Sequence, residues 1–425
     1  MTVMKKMAAK VIVIGGGAAG LMAAGMAVQN GAEVTVIEKN DKPGRKLMIT
    51  GKGRCNVTNN CNEIDALIKN VPTNGRFLYS AFSSFMPKDT MALFESLGVP
   101  LKTERGNRVF PVSDKAADIV DALKTYTEKA TFVKGQVKTL VCKDNRIEYC
   151  RLEDGRILYA DRFILATGGK SYPLTGSTGD GYLIAKGIGH TVTSIHPSLV
   201  ALKSSNGFCS LLQGLSLKNV TLSLFETGKK KAKYTELGEM LFTHFGISGP
   251  LVLSASAYIK SFEKKSYYVS LDLKPGLTAE QLDKRISRDF ETFSNKDFSN
   301  ALSNLLPKKM IPVIVKMSGI APDKKVNQIT KSERKDLTDL LKNFKINITD
   351  FWSIEQAVIT SGGISVKEIE PKTMRSKLYQ NLYFAGEIID VDAFTGGFNL
   401  QIAFSTGYAA GKYASTINEF GGNDE

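Results

Sequence analysis

Histidine, tryptophan and paired cysteine are all scarce in this chain of 425 residues, which holds three His, one Trp and five Cys. Cys55, Cys61, Cys142, Cys150 and Cys209 form an odd, scattered set without a C-x-x-C pair. None stands at zinc-like spacing from His190, His196 or His244, so the pattern argues against a disulfide framework and against a metal site. No stretch approaches the roughly 20 apolar residues of a membrane-spanning helix. The opening MTVMKKMAAK leads into a strand pattern without the apolar region and cleavage site of a signal peptide. A cytoplasmic protein with no membrane span is expected. Acidic residues are in deficit as well, leaving a formal charge of +14. Nine of those surplus charges fall between residues 201 and 350. The densest run, Gly228 to Lys233, reads as a solvated turn between two strands, so the surplus points to a solubilising or substrate-steering surface rather than to nucleic acid.

What the chain has in abundance is glycine at phosphate-binding spacing. Val11 to Ile14 is an apolar run that ends at Gly15-Gly16-Gly17-Ala18-Ala19-Gly20, with the spacing G-x-G-x-x-G. Gly15 permits the tight turn, Gly17 lets the backbone approach a pyrophosphate, and Gly20 lets the following helix lie close to the sheet. The free amides at that helix start face the anion. A second strand, Glu33 to Ile37, leads to Glu38 and Lys39. Glu38 stands where a carboxylate accepts the ribose hydroxyls of an adenosine and repels a 2′-phosphate. The unit predicts an adenine dinucleotide.

The rest of the chain supplies pieces for that turn. Asn40 to Asn60 is a loop carrying Arg45, Lys46, Lys52 and Arg54, placed to reach phosphates and a reactive ring. Helices are expected from Pro87 to Gly98 and after a capping Ser113, with Gly106 to Pro111 extended between them. From Thr131 alternation with turns at Asp144-Asn145 and Asp154-Gly155 predicts an antiparallel meander returning to a buried strand, Arg162 to Ala166. The segment Val133 to Val137 is expected to set a backbone edge beside the adenine. Ala166-Thr167-Gly168-Gly169 suggests close backbone approach to the cofactor, and Ser171 to Tyr182 is a second glycine-hydroxyl loop. Short strands from His196 onward, among them Ser198 to Leu202, suggest a small β-barrel or sandwich. Thr278 with Gln281 makes a capping box that opens a helical stretch lasting to Phe344. Near the end a short strand reaches Gly386-Glu387, and a helix rich in Ala and Gly begins after Gly396-Gly397.

Taken together, the glycine turn with Glu38, GRKLMITGKGRCNVTN (Gly44 to Asn59), ATGGKSYPLTGSTGDGY (Ala166 to Tyr182), FTHFGISGP (Phe242 to Pro250) and YFAGEIIDVDAFTGGFNLQIAFSTG (Tyr383 to Gly407) resemble the bacterial FAD-binding, NAD(P)/FAD-dependent oxidoreductase family known as aminoacetone-oxidase-like. That family includes a dehydro-bile-acid reductase. The resemblance implies an α/β fold: a Rossmann-like layered FAD-binding domain (1–195 and 363–425) with an inserted β-barrel (196–275 and 345–362) and a small helical subdomain (276–344). It implies that Gly15, Gly17, Ala18, Ala19 and Gly20 hold the pyrophosphate and Glu38, with Lys39 beside it, the ribose. Lys46, Gly51, Gly53, Arg54, Cys55 and Asn56 would line the flavin side. Val137 would meet the adenine, Ala166, Thr167 and Gly168 the cofactor backbone, and Gly386-Glu387 the ribityl or phosphate region. Gly397, Phe398, Asn399 and Leu400 would face the flavin pyrimidine.

The function expected is an FAD-dependent oxidoreductase that moves hydride between flavin and a small molecule, reducing an activated C=C or oxidising an amine. NAD(P)H would act as a transient reductant, since no second G-x-G-x-x-G is present. Arg54, Cys55 and Asn56 are the catalytic candidates. Two alternatives stand beside this reading: a dithiol reductase using Cys55 with Cys61, and an FAD-dependent nucleic-acid-modifying protein using the basic insert. Oligomeric state is not legible.

Overall fold

The computed structural model describes residues 8–263 and 265–416. The chain forms two compact units, one from the segments ending at Ser198 and resuming at Ile354, the other from Leu199–Ser353.

The first unit is organised on a parallel sheet. Its strands are β1 (Lys10–Ile14), β2 (Glu33–Glu38), β3 (Thr131–Lys134), β4 (Arg162–Leu165) and β5 (Leu382–Phe384). They lie in the order β5-β4-β1-β2-β3, every neighbouring pair parallel. Val11 to Ile14 are buried because both faces of the central strand are covered. The strand order reverses at β1, and the carboxyl ends of β1, β2 and β4 stand together there, where an open α/β sheet presents its ligand crevice. Helix α1 (Ala18–Gln29) and the C-terminal helix α2 (Phe398–Ser415) pack on this core. They approach very closely: a Cβ on Gly407 would stand 2.5 Å from the Ala19 carbonyl oxygen, and one on Gly411 2.3 Å from that of Ala23. The Ala and Gly content of both helices is therefore a packing requirement.

Three local expectations are corrected. Thr131–Lys134 does not open the meander; it is the outer strand β3 of the parallel sheet, with Thr35 paired to Thr131. Its side chains are largely exposed, so alternation could not distinguish the two roles. The meander itself is Val137–Lys143, Arg146–Leu152 and Ile157–Tyr159, and its first turn has both Asp144 and Asn145 at positive φ. The expected strand Ser198 to Leu202 is broken at Leu199, which sits at φ 53. His196–Ser198 pairs with Ile359–Ser361, while Leu202–Ser204 joins the barrel. Ser113 lies one turn outside its helix, which starts at Ala116; its hydroxyl accepts from Lys115 N–H and donates to Asp118.

In the second unit six strands close into an antiparallel barrel, in the order Leu202–Ser204, Gly246–Ser248, Tyr234–Thr243, Ser216–Glu226, Tyr267–Asp272 and Phe344–Phe351. Val220, Leu222, Leu224, Val269 and Leu271 fill its interior. The lysine-rich segment Gly228 to Lys233 is the hairpin connection between two of these strands. The helical stretch belongs to the same unit, and its capping box at Thr278 and Gln281 forms with both reciprocal bonds. Among the described residues no helix is long and apolar enough to cross a membrane.

Candidate cofactor site

At the reversal point of the parallel sheet lies a cavity walled by the β1 turn, the end of β2, the backbone of Gly135 to Val137, the end of β4 and the first turn of α2. The fingerprint glycines differ sharply in what they meet. A Cβ on Gly15, which sits at φ +105, would stand 2.6 Å from the Ala166 oxygen, and one on Gly20 only 1.8 Å from the Gly15 oxygen. Those two serve turn and packing. A Cβ on Gly17 would meet nothing within 4 Å. Gly17 is the N-cap of α1 with no side chain capping the helix, so the first amides of α1 face open space across a residue kept small for no reason internal to the protein. That is the cradle a pyrophosphate fills.

Glu38 closes the next side. Its Oε2 accepts from Gly16 N–H at 2.8 Å, and its Oε1 accepts from Asn40 N–H at 2.8 Å and Asn40 Nδ2 at 2.7 Å. A carboxylate offers about four acceptor positions, so about one is left for a ribose hydroxyl. Engaging both hydroxyls requires Asn40 Nδ2, which also reaches Thr175 O at 3.2 Å, to release Oε1. Glu38→Gln turns an –NH2 toward donors already in place. Its expected effect is FAD binding weaker by about 1–3 kcal/mol, with a smaller loss of stability in the apoprotein. Flavin titration of both proteins measures the first and thermal unfolding the second.

A buried-edge polar network forms the opposite wall. Lys46 Nζ donates to Glu387 Oε2 and Ser171 Oγ, each at 2.7 Å, while Glu387 Oε1 accepts from Ser171 Oγ at 3.1 Å and Thr360 N–H at 2.9 Å. Lys39 is held by Asp180 at 2.9 Å and Thr178 at 2.7 Å. Ser171, Thr178 and Asp180 belong to the glycine-hydroxyl loop noted in the sequence, whereas Thr360 carried no signal there.

The structure brings Gly15, Gly17, Ala18, Ala19, Glu38, Lys39, Lys46, Val137, Ala166, Thr167, Gly168, Glu387, Asn399 and Leu400 onto this cavity. Gly51, Arg54, Asn56 and Phe398 line a second cavity instead. Gly53, Cys55, Gly386 and Gly397 line neither and shape the backbone around them. Gly386 N–H donates to Thr406 Oγ1 at 2.9 Å. Asn56, with its amide turned to satisfy its neighbours, donates to Val109 O and Thr58 O and accepts from Gly397 N–H at 2.9 Å, so it anchors the start of α2.

Cys55 does not fit a redox role. It is fully buried, and burial pushes its thiol up to about 12, the reverse of the depressed thiol that exchange chemistry uses. All five cysteines are free. Arg54 is committed to Glu104 and Asp114, and its guanidinium lies 4.1 Å from the Phe110 ring centre, which makes it a brace for the loop.

A family model described as the HI0933-like protein Rossmann domain matches residues 9–413. The chain belongs to this family. Its relatives include a 3-dehydro-bile acid delta(4,6)-reductase from Clostridium scindens, 31% identical over 95% of this chain and 98% of that one. A ribosomal RNA dihydrouridine synthase from Haemophilus influenzae is 31% identical over 94% and 96%. A flavocytochrome c3 fumarate reductase has a similar fold, with a TM-score of 0.50, 16% identity, and coverage of 96% of this chain and 78% of that one. The chain is an FAD-dependent oxidoreductase, and its cradle fits that cofactor: an open Gly17, free helix amides and an acidic ribose partner. FAD bound there would supply hydride transfer.

Proposed function

We propose that the protein is a reductase that adds hydride to a carbon–carbon double bond conjugated with a carbonyl group, with a reduced nicotinamide dinucleotide as the source of electrons. The observation that carries this is the shared chemistry of two near-full-length relatives. A 3-oxo bile acid with double bonds at positions 4 and 6 is an extended enone, and uridine becomes dihydrouridine by saturation of the 5,6 bond conjugated to its 4-carbonyl. The substrates differ in size and charge, but the bond reduced is of one kind. The polar network of Lys46, Ser171, Thr360 and Glu387 holds the cofactor wall fixed, and the apolar sides Leu47, Val391 and Leu400 exclude water from the ring end.

The names of the relatives leave two substrate classes, a steroid enone and RNA. The +14 total and its concentration between residues 201 and 350 suit either anion, a bile-acid carboxylate or an RNA backbone. The expectation against nucleic acid is therefore replaced by a direct test. Anaerobically reduced protein is mixed with a 4-en-3-one steroid and, separately, with uridine-containing RNA. The expected result is reoxidation of the flavin by one of them, with two hydrogens gained by the product. Reoxidation by neither, but rapid oxidation by an amine's imine product, would overturn the reading.

A further inference from the structure

We infer that the second cavity is the docking site of the electron donor, a reduced nicotinamide dinucleotide, and that Lys52 and Arg108 receive its phosphates. The inference rests on the reductase reading above and adds a place to it.

The second cavity, about 570 Å³, lies in the first unit and is lined by Gly51, Lys52, Arg108, Phe110, Gly396 and Phe398 among others. Its size falls in the range of small-molecule sites. The cofactor cavity has its adenosine end at Glu38 and Gly135–Val137 and its pyrophosphate at Gly17, which leaves the ring for the end walled by Thr50, Asn399 and Leu400. The second cavity begins one residue from each side of that end, at Gly51 and Phe398. The loop and the start of α2 are tied to each other there: Asn56 accepts from Gly397 N–H, and Asn59 Nδ2 donates to Gly106 O and Gly396 O at 3.0 Å each.

Charge identifies the ligand. Arg54 is neutralised by Glu104 and Asp114. Among the described residues neither Lys52 nor Arg108 has a carboxylate partner; Arg108 donates through Nε to Arg105 O at 3.0 Å, and its guanidinium lies 5.8 Å from the Phe110 ring centre. Lys52 is also held at φ 59 between Gly51 and Gly53, a conformation glycine adopts more readily. A point charge and a guanidinium fork beside a ring cavity match a phosphate-bearing heterocycle. Only one G-x-G-x-x-G occurs in the chain, so a second dinucleotide must be held by side chains and not by another glycine turn. In the step supported, the dihydronicotinamide C4–H bond breaks and hydride passes to the flavin. The donor leaves as the pyridinium, and one proton from solvent completes the reduction.

The test uses the FAD-loaded protein and the double variant Lys52→Gln/Arg108→Gln. Calorimetric titration with NADP⁺ and NAD⁺ reads binding without turnover, and anaerobic mixing with NADPH and NADH reads reduction. Both side chains are exposed, so the fold and flavin content stay unchanged. The expected result is an affinity lower by about tenfold, the product of two exposed charge contacts, with the limiting reduction rate within about twofold of the parent. A control, Lys229→Gln/Lys230→Gln in the barrel hairpin, should leave both unchanged. The inference is overturned if the parent neither binds nor is reduced by either nucleotide, or if the double variant matches the parent. It is equally overturned if the double variant loses affinity for single-stranded RNA alone. Reoxidation of dithionite-reduced parent by an enone would still uphold the reductase reading in each case.

Discussion

Gly17→Val should empty the cofactor cavity while leaving the apoprotein as stable as the parent. The backbone at Gly17 is extended, at φ −83 and ψ −170, which valine adopts readily. A Cβ there meets no protein atom within 4 Å. Only a ligand can object. With a branched side chain in the pyrophosphate position, FAD affinity should fall by about a hundredfold or more, equivalent to about 2.7 kcal/mol. The unfolding midpoint of flavin-free protein should move by no more than about 1 °C, as for a substitution without contacts. The neighbouring glycines supply the contrast. Gly20→Ala drives a methyl group to 1.8 Å from the Gly15 oxygen and should destabilise the apoprotein by about 1–3 kcal/mol through overpacking. If Gly17→Val keeps its flavin, the pyrophosphate lies elsewhere.

The second large effect is expected at Gly397, with the opposite signature. This residue is the N-cap of α2 at φ 99, and a Cβ on it would lie 2.3 Å from both C and O of Thr58. Thr58 cannot yield easily. Its hydroxyl donates to Gln401 Oε1 at 2.6 Å within a buried set in which Gln401 and Ser405 of α2 also hold Thr90 and the Phe85 carbonyl. Gly397→Ala combines a left-handed backbone penalty with a collision and should cost about 3 kcal/mol. For a unit of this size that corresponds to a fall in unfolding midpoint of about 5 °C. The loss should appear with and without flavin, because it arises from the seating of α2 on β1, β4 and Thr58. A midpoint unchanged in the apoprotein would show that the start of α2 is free to shift.

The two glycines also show where the sequence was legible. The turn after β1, Glu38 at the end of β2 and the close packing of α1 were readable because strand, turn and helix follow one another within thirty residues, and Gly15 and Gly20 have local steric reasons while Gly17 stands at phosphate-binding spacing. The loop from Gly44 to Asn59 was not. Read as one flavin-facing ribbon, it is divided between two cavities because Gly51, Lys52, Gly53 and Cys55 all sit at positive φ, which repeatedly turns the chain and buries the Cys55 thiol. No pattern of residue types reports such turns at a lysine and a cysteine. The wall of Lys46, Ser171, Thr360 and Glu387 was half visible. Its members come from four separated segments, and a threonine within a short strand gives no sign that its backbone N–H serves a distant carboxylate. Likewise, His190, buried between Glu368 and Ser376 at 3.0 Å from each, was read only as a residue that could not bind zinc. Burial keeps this imidazole below its ordinary range.

The central claim is that the cavity at the reversal of the parallel sheet holds one FAD, gripped at pyrophosphate and ribose. Its most direct measurement is the identity and amount of flavin released by heat from purified protein saturated with a mixture of FAD and FMN. One FAD per chain, with no FMN retained, is the predicted result. Retention of FMN in place of FAD, or a folded protein that takes up neither, would contradict the account.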